Sequence, residues 1–138
     1  MFRKVTDTFY ASPQIAPQDI AEAARLGVGL VINNRPEDES DDQAPGAAIE
    51  QAARAAGMDY VAIPVTHAGF SEPQVRAMAQ ALKGADGPVL AYCRSGTRST
   101  LLWSLAEASR GQDPQDIAAL AAGAGYDVAP VRAMLDML

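Results

Sequence analysis

Three short apolar segments separated by helical segments restrict the fold of this chain more than any other feature. The segment "VGLVIN" is rich in β-branched residues and has the pattern of a strand covered on both faces, and "DYVAIPV" and "PVLAY" are predicted as the second and third strands. Alanine-rich segments with apolar residues at helical spacing lie between them, and Ser71 with Gln74 forms a capping-box pattern before one of them. Since strands that alternate with helices pair in parallel through right-handed crossovers, we predict a three-layer α/β/α fold with a mainly parallel sheet.

The two ends of the chain complete this prediction. The segment "KVTDTFYASPQ" predicts two short strands joined by a turn, which brings the sheet to four to five strands. After "PVLAY" the chain continues as helices with no strand between them, which predicts a C-terminal helical part. A chain of 138 residues without a linker or an internal repeat predicts one domain, residues 1–138.

Composition and charge exclude several classes of function. The net charge of −6 argues against binding to nucleic acid or to an anionic membrane surface. The N-terminus lacks the apolar core of a signal peptide, and no apolar run reaches membrane-spanning length. A single cysteine excludes an internal disulfide and a Cys-rich zinc site. The sequence therefore predicts a cytoplasmic protein without a metal or a cofactor.

The single cysteine, Cys93, ends the predicted strand "PVLAY" and opens the segment "CRSGTRS". Ligands of open α/β sheets bind beyond the carboxyl ends of the strands, and a helix is expected to begin near Thr97 to Ser99. Backbone N–H groups and the helix dipole then converge on one point, where they bind an anion and lower the pKa of a thiol. We predict Cys93 as the nucleophile and Arg98 as its catalytic partner. The predicted anion-binding loop consists of Arg94, Ser95, Gly96, Thr97 and Ser99.

At this loop the sequence resembles known families. "YCRSGTRS" is similar to the active-site loop of rhodanese-type sulfurtransferases and to the phosphate loop of cysteine-dependent phosphatases. Across most of the chain the sequence resembles the beta-lactamase-hydrolase-like, phosphatase-like family, in which "LGVGLVINNRPEDE", "YVAIPV", "GFSEPQV" and "YCRSGTRS" follow in this order. The resemblance implies a dual-specificity-phosphatase-like fold, Cys93 as the nucleophile and residues 94–99 as the anion binder.

Two departures from the cysteine phosphatases favour sulfur transfer. Those phosphatases have five residues between cysteine and arginine, whereas Cys93 and Arg98 enclose four, the rhodanese length. The shorter ring suits a persulfide sulfur better than a phosphoryl group. The phosphatases also protonate the leaving alcohol with an aspartic acid from another loop, and the equivalent segment "PVTHAGFSE" has none. Only His67 and Glu72 remain as acids there, but sulfite leaves thiosulfate without one.

Further candidates lie in the other loops. His67 either acts in the Cys93 pocket as an acid or recognition group, or is a solvent-exposed loop histidine. Arg35 and Asp38 follow another predicted strand and either line the same pocket or, as we favour, form an ion pair that fixes their loop. The acidic run "EDESDD" is expected to be solvated, and Trp103 is expected to pack in the core.

We therefore have three hypotheses for function. The first is a sulfurtransferase that transfers a persulfide sulfur on Cys93 from a thiosulfate-like donor to a low-molecular-weight thiol or to cyanide. The alternative is a phosphatase that hydrolyses a small phosphomonoester through a cysteinyl-phosphate. The third is a noncatalytic domain that binds anions or senses redox state. Turnover separates the two enzymes from the third hypothesis.

Overall fold

A five-stranded sheet is the middle layer of the protein, which a computed structural model describes over all 138 residues. The strands lie in the order β1-β2-β5-β3-β4. Only β1 and β2 pair in the antiparallel sense, and β2, β5, β3 and β4 are parallel neighbours. The strands are β1 Arg3–Thr6, β2 Phe9–Ser12, β3 Leu30–Asn33, β4 Asp59–Ala62 and β5 Val89–Tyr92.

Six helices cover the two faces of this sheet. Helices α1 and α2 pack on one face, and α3 to α6 pack on the other. The three-layer α/β/α fold and the C-terminal helical part are therefore confirmed. The helices are α1 Ile20–Arg25, α2 Gly46–Ala55, α3 Glu72–Gly84, α4 Thr97–Ser109, α5 Pro114–Gly123 and α6 Arg132–Met137.

The alternation of side chains along the strands explains why the sheet needs both helical layers. Leu30 and Ile32 point into the larger core with α3 and α4, whereas Val31 between them points into the smaller core with α1 and α2. All four residues of β3 and all four of β5 are buried. Apart from Asn33 and the Tyr92 hydroxyl at their carboxyl ends, these strands are apolar because neither face meets water.

Local sequence signals set several element boundaries. Ser71 and Gln74 form the predicted capping box of α3: the Ser71 hydroxyl accepts from the Gln74 N–H, and the Gln74 side chain accepts from the Ser71 N–H. Asp113 caps α5 through the N–H of Gln115. Strand β4 ends at Ala62, earlier than "DYVAIPV" predicts, and Pro64, which has no N–H to donate, follows two residues later.

None of the helices combines the length and the apolar character that crossing a membrane would need.

Candidate active site

Cys93 lies at the carboxyl end of the central strand β5, between the ends of β2 and β3. The residue is fully buried. Its N–H donates to the Ser12 carbonyl at 3.3 Å, and the N–H of Gln14 donates to the Arg94 carbonyl at 3.2 Å. These two bonds attach the loop after β5 to the end of β2. The thiol is therefore held in the position where open α/β sheets bind their ligands.

The loop after Cys93 turns directly into helix α4. Gly96 adopts a φ of +91°, a left-handed conformation that favours glycine, and α4 begins at Thr97. The Gly96 N–H points back at the Cys93 Sγ, 3.1 Å away. A backbone donor thus faces the sulfur at the N-terminus of a 13-residue helix. Arg94, Ser95 and Thr97 are exposed around this turn, while Gly96 and Ser99 are buried.

The Arg98 guanidinium is fixed by two other parts of the chain. Nη1 and Nη2 donate to the two carboxylate oxygens of Glu39 at 2.7 and 2.8 Å, and Nη1 also donates to the Val65 carbonyl at 2.7 Å. The hydrogen bond with Glu39, and to a smaller extent the charge of Cys93, raise the pKa of Arg98. Nε and the remaining hydrogen of Nη2 bind no oxygen of the protein, and Arg98 interacts with the Cys93 thiol, so one edge of the guanidinium keeps donors for an anion beside the sulfur.

Glu39 also binds the second arginine that the sequence singled out. Arg35 is buried, and its Nε donates to Glu39 Oε1 at 2.9 Å, while its other nitrogens bind Gln14 and Ser40. The expected ion pair between Arg35 and Asp38 is therefore wrong. Asp38 is exposed and has a φ of +62°. Its side chain therefore points away from Arg35, and Glu39, the next residue, contacts Arg35 and Arg98 instead. Arg35 supports the site through Glu39.

The prediction that the acidic run "EDESDD" is a solvated loop is wrong for Glu39. The Glu39 side chain is 17% exposed and lies between Arg35 and Arg98. The hydrogen bond from Arg98 lowers the Glu39 pKa from 4.5 to about 2, with Arg35 contributing in the same direction and desolvation opposing both. No sequence signal distinguishes Glu39 from the four other acidic residues of this run.

We expect Glu39→Gln to lower stability in a pH-dependent way. Since the folded state depresses the Glu39 pKa from 4.5 to about 2, the ionised pair stabilises the protein above pH 4.5. That stabilisation is lost as the pH falls toward 2. Urea unfolding at a series of pH values should show the largest difference between the native protein and the variant at neutral pH, and almost none near pH 2.

Asp38→Asn is the matched control for this prediction. Asp38 belongs to the same loop, is exposed, and asparagine tolerates its positive φ. The control should unfold like the native protein at every pH. A loss in Glu39→Gln that does not change with pH would mean that the ion pair is not its cause.

The two candidate acids lie in different surroundings. His67 is exposed on the loop between β4 and α3, and this loop starts against the anion site because the Val65 carbonyl binds Arg98. Glu72 is exposed in the first turn of α3, where it pairs with Arg76 at 2.5 Å and borders a groove between α3 and α6. The loop of His67 therefore starts at Arg98, whereas Glu72 pairs with Arg76 on α3.

Ser99 and Trp103 are both buried on α4. The Ser99 hydroxyl, one residue after Arg98, has no hydrogen-bond partner in the protein. Trp103 packs in the core as expected, stacked on Phe9 with ring centroids 5.4 Å apart. A cavity of about 540 Å³ beside Trp103 lies near the amino ends of the strands and contains no residue of the anion loop.

The fold and the loop define a class of protein: a cysteine-based, phosphatase-like α/β fold. Residues 1–110 match the family described as beta-lactamase hydrolase-like protein, phosphatase-like domain, and the chain belongs to this family. The match includes the loop but does not confirm the resemblance of the loop to rhodanese.

Relatives and solved structures agree with this assignment. A beta-lactamase hydrolase-like protein of Agrobacterium fabrum is 39% identical over 105 residues, which cover 76% of this chain and 24% of the relative. The chain therefore spans about a quarter of the length of that curated relative. A crystal structure of a candidate phosphatase from Neisseria meningitidis is 35% identical, with a TM-score of 0.85 over 98% of this chain and 96% of that one. TpbA of P. aeruginosa in complex with pTyr shares the fold, at 21% identity and a TM-score of 0.61 over 98% of this chain and 90% of that one.

Proposed function

We propose that this chain is a phosphatase that hydrolyses small phosphomonoesters through a cysteinyl-phosphate on Cys93. The observation on which the proposal rests is that two donors interact with the Cys93 sulfur: the Gly96 N–H, 3.1 Å from it, and the Arg98 guanidinium. The two donors match the oxygens of a phosphoryl group whose phosphorus faces the sulfur. The similarity to the Neisseria candidate phosphatase over almost the whole chain supports the same reaction.

The reaction has two steps. The Cys93 thiolate attacks phosphorus, the bond from phosphorus to the ester oxygen breaks, and the leaving alkoxide takes a proton from a general acid. Water then attacks the cysteinyl-phosphate, gives its proton back to the same group, and releases inorganic phosphate and the thiolate. Arg98 and the Gly96 N–H bind the phosphoryl oxygens in both steps, and Glu39 keeps the guanidinium in place.

The charges at this site support the proposed substrate class. A dianionic phosphoryl group fits one arginine edge and a helix N-terminus. TpbA, which shares the fold, has been solved with pTyr, an aryl phosphomonoester. We propose an aryl phosphomonoester as the first substrate to test, because its phenolate leaves more easily than an alkoxide.

Sulfur transfer remains the second candidate because Cys93 and Arg98 enclose only four residues. Parallel assays separate the two. Phosphatase activity predicts phosphate release from an aryl phosphate, whereas sulfur transfer predicts that thiosulfate adds the mass of one sulfur atom to Cys93 and that cyanide removes it. If the mass increase appears and no phosphate is released, the phosphatase proposal is wrong. If neither occurs, the noncatalytic hypothesis replaces both.

We expect His67→Ala to slow turnover in a way that depends on the leaving group. If His67 is the general acid, its loss should reduce the rate with phenyl phosphate by about 10²-fold. The rate with para-nitrophenyl phosphate should change little, because that phenolate leaves without a proton. Initial rates with both substrates measure this difference.

Glu72→Gln is the matched control for the general acid. Glu72 was the other candidate, and its ion pair with Arg76 keeps it on α3. Its variant should match the native protein with both substrates. Equal losses with both substrates in His67→Ala would point to a role in binding instead of proton transfer.

A further inference from the structure

Tyr126 contacts the anion loop from the C-terminal part of the chain. It lies between α5 and α6, beyond residues 1–110 that match the family. Its hydroxyl donates to the Ser95 carbonyl at 3.3 Å. The same hydroxyl packs against Gly96 so closely that a methyl group on Gly96 would collide with it. The ring therefore forms a wall beside the peptide group that joins Ser95 to Gly96.

This peptide group is the one that supplies the donor to the sulfur. A peptide unit is planar and trans, so its C=O and N–H point in opposite directions. When Tyr126 holds the Ser95 carbonyl outward, the Gly96 N–H must point inward, and it lies 3.1 Å from the Cys93 Sγ. The opposite orientation of this peptide group would point the Ser95 carbonyl at the sulfur. Because residue 96 is glycine, that orientation is not sterically forbidden. A contact from another part of the chain therefore has to select the observed orientation of the peptide group.

Tyr126 is itself held in place on its other side. The Arg3 guanidinium lies over the Tyr126 ring, 5.4 Å from its centroid, and donates to the Ala124 carbonyl at 3.1 Å. The Tyr126 N–H donates to the Ala121 carbonyl at 2.9 Å, which ties it to the end of α5. Burial raises the pKa of Tyr126 above its ordinary value, so the hydroxyl keeps the proton that it donates.

We propose that Tyr126 is a positioning residue that selects the loop orientation in which the Gly96 N–H faces Cys93. The contact chain runs from Arg3 through Tyr126 to the Ser95–Gly96 peptide. The C-terminal helical part thereby contributes to anion binding although it supplies no group that touches the anion. The inference rests on the proposed function only in taking this loop as the binding site for the phosphoryl group.

Tyr126→Phe tests this proposal because it removes the hydroxyl and keeps the ring. We expect the affinity for inorganic phosphate, measured by calorimetry, to fall roughly three- to tenfold, the range that one lost hydrogen bond produces. In protein labelled at glycine, the Gly96 amide resonance should shift or broaden. If the variant turns over an aryl phosphate, KM should rise with the phosphate dissociation constant.

Tyr10→Phe is the matched control. Tyr10 lies on β2, is partly buried, and its hydroxyl makes no hydrogen bond in the protein. The control should keep the native phosphate affinity and the native Gly96 resonance. Neither variant changes Arg98, the charged side chain that interacts with Cys93.

The outcomes separate this inference from the proposed function. If folded Tyr126→Phe keeps both the native phosphate affinity and the native Gly96 resonance, the positioning role is wrong. Absence of turnover in the native protein would contradict the phosphatase but would leave both binding measurements interpretable. Arg3→Gln provides a second variant, since it withdraws the support of Tyr126 without altering the loop, and it should weaken phosphate binding in the same direction.

Discussion

Cys93→Ser is expected to reduce the hydrolysis of an aryl phosphate by a factor on the order of 10⁵ to 10⁶, the loss found when an enzyme loses its nucleophile. A serine hydroxyl fills nearly the same space in this fully buried position, so the fold should be retained. A hydroxyl is, however, a far weaker nucleophile than a thiolate. Steady-state phosphate release measures the loss, and thermal unfolding checks the fold.

The same variant distinguishes binding from chemistry. Glu39 and the Val65 carbonyl, not the sulfur, hold the Arg98 guanidinium in place, so the variant should still bind inorganic phosphate. Turnover that persists in folded Cys93→Ser would exclude the covalent mechanism. Phosphate binding that disappears together with turnover would instead indicate that the loop has lost its shape.

Arg98→Ala is expected to lower kcat/KM by on the order of 10²–10³, the size of effect that follows the loss of a transition-state donor. The variant removes the free guanidinium edge and leaves Glu39 paired with Arg35 alone. Arg98→Lys should recover only part of the loss, because an ammonium lacks the fork that binds Glu39 and an anion together. Phosphate affinity and kcat/KM should change together.

Arg94→Ala is the control for this prediction. Arg94 stands in the same loop, but its side chain is exposed and makes no hydrogen bond in the protein. Arg94→Ala should therefore weaken phosphate binding far less than Arg98→Ala does. If the order is reversed, Arg94 is the anion-binding arginine and the contact between Arg98 and Glu39 is only structural.

The hypothesis of sulfur transfer shows where inference from a short motif is weakest. Four residues between Cys93 and Arg98 were taken as a measure of ring width. The orientation of a single peptide group, which Tyr126 contacts, and the position of Arg98, which Glu39 and Val65 fix, also determine what the loop can bind. Spacing along the chain contains none of this information, and the phosphatase-like fold extends over the whole domain.

The sequence by itself determined the layers of the fold and the position of the nucleophile. Periodicity shows which face of an element is buried, so β3 and β5 were predictable as strands covered on both faces. The anion loop was predictable because Cys93 to Ser99 are contiguous and its chemistry depends on a local turn into α4. Capping at Ser71 and Asp113 was equally local.

Only the tertiary structure decided which distant side chains complete the site. Glu39 meets Arg98 across 59 positions of the chain, and Tyr126 meets Ser95 across 31. Both come from segments outside regular helices and strands, where no periodicity indicates the direction of a side chain. Five acidic residues in "EDESDD" look alike in sequence, and the backbone turn at Asp38 selects Glu39 among them. The path of these loops across the end of the sheet fixes the contacts, and that path depends on the packing of the whole domain.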